Sequence, residues 1–125
     1  MEYEQMTYEI RGAIFSVFRE LGPGLLESVY ETALEYELKL SGYGVKTQVG
    51  LPVQYKGISL ELGFRIDIVV DDLVIVEVKS VEALHDVHWK QLLTYLKLSR
   101  KKVGFLVNFN SSKLEDKVSL IRVVN

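Results

Sequence analysis

Asp67 is followed, ten residues later, by Glu77-Val78-Lys79. Residues two apart on an extended strand project from the same face, so Glu77 and Lys79 stand together. They close a run from Leu73 to Val78 that is otherwise apolar. A charge at such a place is costly unless it is paired or metal-bound. A hairpin between the two segments brings Asp67 alongside. Ile66, Ile68 and Val70 share one face of the first strand, and Val74, Val76 and Val78 share one face of the second. Matching those faces puts Asp67 on the side of Glu77 and Lys79. The match depends on register. A two-residue loop at Asp71-Asp72 pairs Asp67 with Val76 and turns Glu77 away, whereas a three-residue loop, Asp71 to Leu73, or a bulge keeps the carboxylates together.

Two carboxylates and a lysine on one face have a chemical use. Magnesium prefers hard oxygen ligands and keeps several waters. Asp67 and Glu77 are candidate ligands, with the Val78 backbone carbonyl as a third. Such an ion lowers the pKa of a bound water and neutralises charge building on a phosphate. Lys79 is placed to orient that water or to stabilise the negative charge. The plain alternative is a buried ion pair at a strand end.

Two further pairs bear on the choice. Gln91 and Tyr95 are four apart on a helical segment and share a face. The amide suits a water or a carboxylate, and the phenol suits a phosphate; a solvated glutamine and a core tyrosine are the bland reading. In Gly24-Leu25-Leu26-Glu27-Ser28-Val29-Tyr30, Glu27 and Tyr30 lie one turn apart. An acid in the first turn of a helix is common on dipole grounds alone, and Tyr30 reads equally as core. His85 and His88, three apart without a cysteine or a helix-borne glutamate motif, read as ordinary surface or loop residues; His88 stands one turn before Gln91 and has access to the same cleft. Lys97, Arg100, Lys101 and Lys102 form the basic cluster of the chain. It reads either as a solvated helix end or as a phosphate-contacting patch, to which Lys113 and Lys117 add. Gly22-Pro23-Gly24 lacks the lysine and hydroxyl residue of a phosphate-binding loop. No serine, histidine and acid arrangement suggests acyl transfer.

The elements that must position these residues follow from periodicity. Ile10, Ala13, Ile14, Val17, Phe18 and Leu21 recur at helical spacing and predict a first helix, roughly Gln5 to Leu21. Gly22-Pro23-Gly24 breaks it. A second helix is expected from about Leu25 to Leu40, with Leu26, Val29, Tyr30, Ala33, Leu34 and Leu38 inward, ended at Ser41-Gly42-Tyr43-Gly44. The period then becomes two. Val45, Thr47 and Val49 alternate with Lys46 and Gln48, and Pro52 marks an edge strand or a bulge. Lys56-Gly57 is a turn. Leu62, Phe64, Ile66, Ile68 and Val70 alternate with Glu61, Gly63, Arg65, Asp67 and Val69. Leu73 to Lys79 suits a central strand covered on both faces. A third helix runs from about Val87 to Leu98 with Leu92, Leu93, Tyr95 and Leu96 as core. Val103 to Phe109 and Leu120 to Val124 are further strands. The order is helix, helix, three strands, helix, two strands, an α/β class with a mixed central sheet flanked by helices.

The whole chain sets bounds. Its 125 residues argue for a single domain, 1–125, large enough to bury a core without staples. Hydrophobic residues at 48% and charged residues at 26% are a globular balance. There are no cysteines, so thiolate sites are excluded and a reducing cytoplasm is the expected setting. Fifteen basic against 17 acidic residues give −2, which is not the balance of a protein that holds nucleic acid by charge alone. Any such binding must use a local patch or bridging ions. No apolar run reaches membrane-spanning length, and the polar, acidic start, Met1-Glu2-Tyr3-Glu4-Gln5, is not a signal peptide.

Asp67, Glu77-Val78-Lys79 and Gln91-x-x-x-Tyr95 together resemble the PD-(D/E)XK nuclease superfamily in its RecB-like form, and Gly24-x-x-Glu27-x-x-Tyr30 resembles the small GxxExxY branch of it. The likeness runs from about Ile10 to Val124. It implies a restriction-endonuclease-like fold and metal-dependent hydrolysis of phosphodiesters in DNA or RNA. It also implies Mg²⁺ or Mn²⁺ as cofactor, Asp67 and Glu77 as metal ligands, and Lys79 as the catalytic lysine. Glu27 becomes an accessory acid, with Gln91 and Tyr95 completing the catalytic set. Lys97, Arg100, Lys101 and Lys102 are the expected nucleic-acid contacts. A non-catalytic module that keeps the fold and binds nucleic acid or a protein partner, in defence or repair, is the competing expectation.

Overall fold

The computed structural model describes residues 3–61 and 63–125. Leu62, expected in the second strand, lies outside them. The chain forms α1 (Tyr3–Leu21), α2 (Glu27–Leu40), β1 (Val45–Gly50), β2 (Val53–Tyr55), β3 (Ile58–Leu60), β4 (Arg65–Val70), β5 (Val74–Lys79), α3 (Asp86–Ser99), β6 (Val103–Asn108) and β7 (Leu120–Val124). The main sheet has the order β1-β4-β5-β6-β7, with β5 and β6 parallel and the other neighbours antiparallel. The parallel pair needs a crossover, and α3 supplies it.

Five strands, rather than three, separate α2 from α3. The extra pair is the β2–β3 hairpin, which folds about Lys56-Gly57. Both Lys56 and Gly57 have positive φ, 49° and 80°, the conformation that tight two-residue hairpins require. Pro52 falls in the connection after β1, which is an edge strand. The second long strand begins only at Arg65.

Two apolar layers cover the sheet. Ile10, Ile14 and Val17 of α1 and Tyr30, Leu34 and Leu38 of α2 pack with Ile68, Val70, Val74, Val76, Val78, Phe105 and Val107. Leu92, Tyr95 and Leu96 of α3 pack with Val69, Ile75 and Leu106. Leu26 and Val29, expected inward, are exposed instead. The buried positions of α2 recur every four residues from Tyr30, and that narrow stripe leaves Val29 on the outer side. Val29 and Ala33 there line a groove of about 670 Å³ against Val17 and Leu21 of α1.

The β4–β5 turn has three residues, Asp71 to Leu73. Val70 pairs with Val74, Val69 with Ile75 and Ile68 with Val76, the register that sets Asp67 across from Glu77. The face pattern expected for Ile66, Ile68 and Val70 holds only in part. Ile68 and Val70 join the α1–α2 layer, but Ile66 joins the α3 layer. The same switch occurs on the neighbouring strand, where Val45 packs on the first layer and Val49 on the second. Between those residues Gln48 adopts a positive φ of 51°, and the β1–β4 ladder skips from Thr47–Ile68 to Val49–Ile66. A local break of this kind kinks a strand and re-aims its side chains.

Candidate active site

Asp67 and Glu77 lie across from each other where the β4–β5 ladder stops. Each carboxylate replaces a missing rung. Asp67 N–H donates to Glu77 Oε2 at 2.8 Å, and Val78 N–H donates to Asp67 Oδ2 at 2.9 Å. The reciprocal bonds tether both side chains to the neighbouring strand and occupy one oxygen of each. Glu77 is 3% exposed. Its pKa is pushed up to about 8, first by burial and then by the charge of Asp67, against which the Asp67 N–H and Lys79 work. Asp67 is half-buried and is also raised, mainly by burial, with the Val78 N–H and Lys79 opposing. Lys79 is half-buried on the same face as Glu77. Among the described residues its ammonium closes no ion pair with either carboxylate.

Glu27 opens α2, and its Oε2 accepts the Ser80 N–H at 3.0 Å, immediately after Lys79. Ser80 Oγ donates to the Leu25 carbonyl at 2.6 Å. Tyr30 serves this junction from below. Its ring is fully buried and stacks on Phe109 with centroids 4.4 Å apart. Its hydroxyl donates to the Gly22 carbonyl at 2.5 Å and accepts the Leu25 N–H at 3.1 Å. Gly22 and Gly24 take positive φ values of 65° and 99° there, which glycine adopts without strain. Core packing and loop clamping are thus one role for Tyr30.

On α3, Tyr95 is buried and meets Phe64 edge-on, with centroids 6.0 Å apart. Its phenol is raised by burial and then by the charges of Glu77 and Asp67, which lie on its side of the sheet. Gln91 stands one turn earlier, half-buried, with no side-chain hydrogen bond among the described residues. His88 Nδ1 accepts the His85 N–H at 2.9 Å and caps the helix. Burial lowers its pKa, helped by the positive charges of Lys79 and His85 and opposed by Glu27. A cavity of about 360 Å³ lined by Gly50, Leu51, Pro52, Glu61, Gly63, Phe64 and Arg65 opens beside Phe64.

Lys97, Arg100, Lys101 and Lys102 are not brought to these groups. They sit where α3 hands over to β6, and Lys101 Nζ donates to the Asp72 carbonyl in the β4–β5 turn. Val74 and Val103 pair at that end, and Lys79 and Asn108 at the other. Three strand steps, about 10 Å, separate that end from Glu77.

Three contributors escaped the sequence reading. Glu31 is half-buried one turn after Glu27, and its pKa is raised, chiefly by burial and then by nearby acids. The four-residue spacing from Glu27 was the available signal. Asn108 is buried at the end of an apolar run, as Glu77 is. Its Oδ1 accepts the Val81 N–H and its Nδ2 donates to the Val81 carbonyl, which pins the loop after Lys79. Gln48 alternates with the half-buried residues of β1 and is exposed, as that pattern implies. Nothing in that pattern marks its left-handed backbone.

Among the described residues, no three histidine, aspartate or glutamate side chains gather closely enough to hold an ion unaided. The candidate donors are instead the two carboxylates, with the neighbouring Val78 carbonyl as the expected third. That suits a hard cation which keeps several waters. A family model described as the PD-(D/E)XK nuclease superfamily matches residues 4–123. No curated protein and no solved structure matches the chain. The five-stranded mixed sheet with helices on both faces is the restriction-endonuclease-like arrangement. With that match over nearly its whole length, the chain belongs to the PD-(D/E)XK nuclease superfamily.

Proposed function

We propose that the chain is a divalent-metal-dependent phosphodiesterase of DNA or RNA, from the GxxExxY branch of its superfamily. The observation that carries this reading is the pair of cross-bonded carboxylates, Asp67 and Glu77, beside Lys79, which ends the strand half-buried and has no ion pair among the described residues. Gly24, Glu27 and Tyr30 support the branch assignment, because all three shape the loop that meets Ser80.

Asp67 and Glu77 would hold Mg²⁺ or Mn²⁺ through the oxygens their backbone bonds leave over, with the Val78 carbonyl as a third donor. When bound, that ion supplies a lowered water pKa and charge neutralisation at the phosphate. The chain's own groups do the rest. Lys79 stabilises negative charge developing on the phosphate. Glu27 is an accessory acid, held toward Lys79 by Ser80. Gln91 orients a water or a carboxylate, and Tyr95 offers its hydroxyl to the phosphate. The residues of the basic cluster, Lys97, Arg100, Lys101 and Lys102, contact nucleic acid away from the cleavage point.

The test is a thermal-shift titration with Mg²⁺ and Mn²⁺, paired with cleavage of single- and double-stranded DNA and RNA. Metal raises the melting temperature by an amount set by its concentration over its affinity. Asp67→Asn and Glu77→Gln remove ligand charge at constant shape and abolish both the shift and cleavage. If the wild type binds nucleic acid yet never cuts it with any divalent ion, the chain is a binding module. If neither metal nor nucleic acid binds, both readings fail.

A further inference from the structure

We propose that Gln48 is the positioning residue of this site: its side-chain amide, presented by a left-handed backbone on the edge strand, holds Asp67 in its ligating orientation and ties it to Glu31 of α2. The proposal rests on the metal-site reading above and adds a residue to it.

Three observations converge on Gln48. The first is the hydrogen bonding. Nε2 donates to Glu31 Oε1 and Oε2 at 3.1 and 3.0 Å and to Asp67 Oδ1 at 3.3 Å. The oxygen it touches on Asp67 is the one the Val78 N–H leaves over. An amide nitrogen carries two protons and no charge. It can therefore sit between two carboxylates that otherwise repel, without competing with them for a cation. Asp67 is then held at both oxygens, Oδ2 by the central strand and Oδ1 by the edge strand.

The second observation is the backbone. Gln48 has φ of 51°, a region where glycine is unstrained and asparagine is tolerated, while a longer side chain is uncommon. Strain of this kind persists where the surroundings impose it, and it gathers at functional sites. The third is the placement of the break. The β1–β4 ladder is interrupted opposite Asp67, and both strands exchange faces across that rung. The left-handed residue thus re-aims β1 at the metal-ligand candidate itself. Arg65 Nη1 donates to the Gln48 carbonyl at 3.4 Å and braces the same turn.

If Gln48 served only the bend, a residue better suited to positive φ would serve it better. Three variants separate the bend from the amide. Gln48→Gly relieves the backbone and removes the amide. Gln48→Asn accepts the backbone but is one methylene too short to reach. Gln48→Met keeps length and strain without the amide's hydrogen bonds. Urea midpoints are measured without metal, and Mn²⁺ affinity is measured by calorimetry. The glycine and asparagine variants match or exceed the wild-type midpoint, yet all three bind Mn²⁺ about 10- to 100-fold more weakly, as supports of ligating groups generally do. Affinities within twofold of wild type in all three overturn the proposal. Should the wild type itself bind no Mn²⁺, the metal reading fails separately, and a metal-free double-mutant cycle decides Gln48. The Gln48→Met effect on the midpoint is smaller in an Asp67→Asn background if the amide grips that carboxylate. Full additivity overturns the link.

Discussion

The Glu77 carboxylate is buried, accepts one backbone N–H, and lies beside the Asp67 charge. This sets how the metal-free protein responds to pH. The folded chain holds the Glu77 proton up to about pH 8, while an unfolded chain releases it near the ordinary value of 4.5. Between those values the native state binds more protons than the unfolded state, so stability falls as pH rises through the window and levels off above it. Asp67 and Glu31 are raised too and act in the same sense. Urea denaturation in EDTA from pH 5 to 9 should show a loss on the order of a few kcal/mol. Glu77→Gln should remove most of it, and a flat profile in the wild type would contradict the burial argument. Saturating Mg²⁺ should reverse the trend, since the ion needs the deprotonated form. Lys79→Ala should leave the metal-induced shift intact but lower the cleavage rate by roughly 10²–10³, the usual effect of removing one group that meets transition-state charge. Glu77 and Lys79 stood out in sequence because charge at the end of an apolar strand demands a reason, and Asp67 because a hairpin brings it alongside them. Gln48 did not, because a polar residue in an alternating edge strand demands none.

Each flanking element is fixed by a contact that can be broken singly. Gly104 on β6 lies under α3, and an added Cβ would come 2.8 Å from Leu92 Cδ1 and 3.3 Å from the Ile75 carbonyl. Gly104→Ala should destabilise by roughly 1–3 kcal/mol, as overpacking does. Adding Leu92→Ala should cost less than the sum of the two single changes, because the smaller side chain vacates the space. Additive urea midpoints would mean that α3 does not press on β6 there. Tyr30→Phe leaves the stacked ring in place but unclamps Gly22 and Leu25. It should cost about 1–3 kcal/mol and loosen the Glu27–Ser80 bond, read as faster amide exchange at Ser80. Helices and central strands were readable because their periods are set by burial on a defined face. The β2–β3 hairpin was missed because its strands are short and largely exposed, so no burial pattern marked them. The outward turn of Leu26 and Val29 was missed because α2 has apolar residues on more than one side, and only packing chooses among them.

Across the whole molecule, charge and chemistry lie at opposite ends of the sheet. Nucleic acid that reaches both the carboxylates and the basic cluster must span about 10 Å, or ~3 nucleotide steps at 3.4 Å each. Replacing Lys101 and Lys102 by glutamine should weaken binding of long substrates and flatten its salt dependence, while leaving short oligonucleotides unaffected. Equal losses for both lengths would place the cluster in the path of every substrate. The three-residue turn between Val70 and Val74 also shapes how this chain tolerates changes of length. An inserted residue bulges outward and leaves the ladder alone. Losing one codon from Asp71–Leu73 leaves too little chain to close the hairpin in register, and a one-residue slip exchanges the faces of β5. Glu77 and Lys79 would then face the α1–α2 core, and Val76 and Val78 would take their places. No later point substitution could undo that inversion; only a compensating change of length in the same hairpin could. In its genealogy this turn should therefore lengthen readily and almost never shorten.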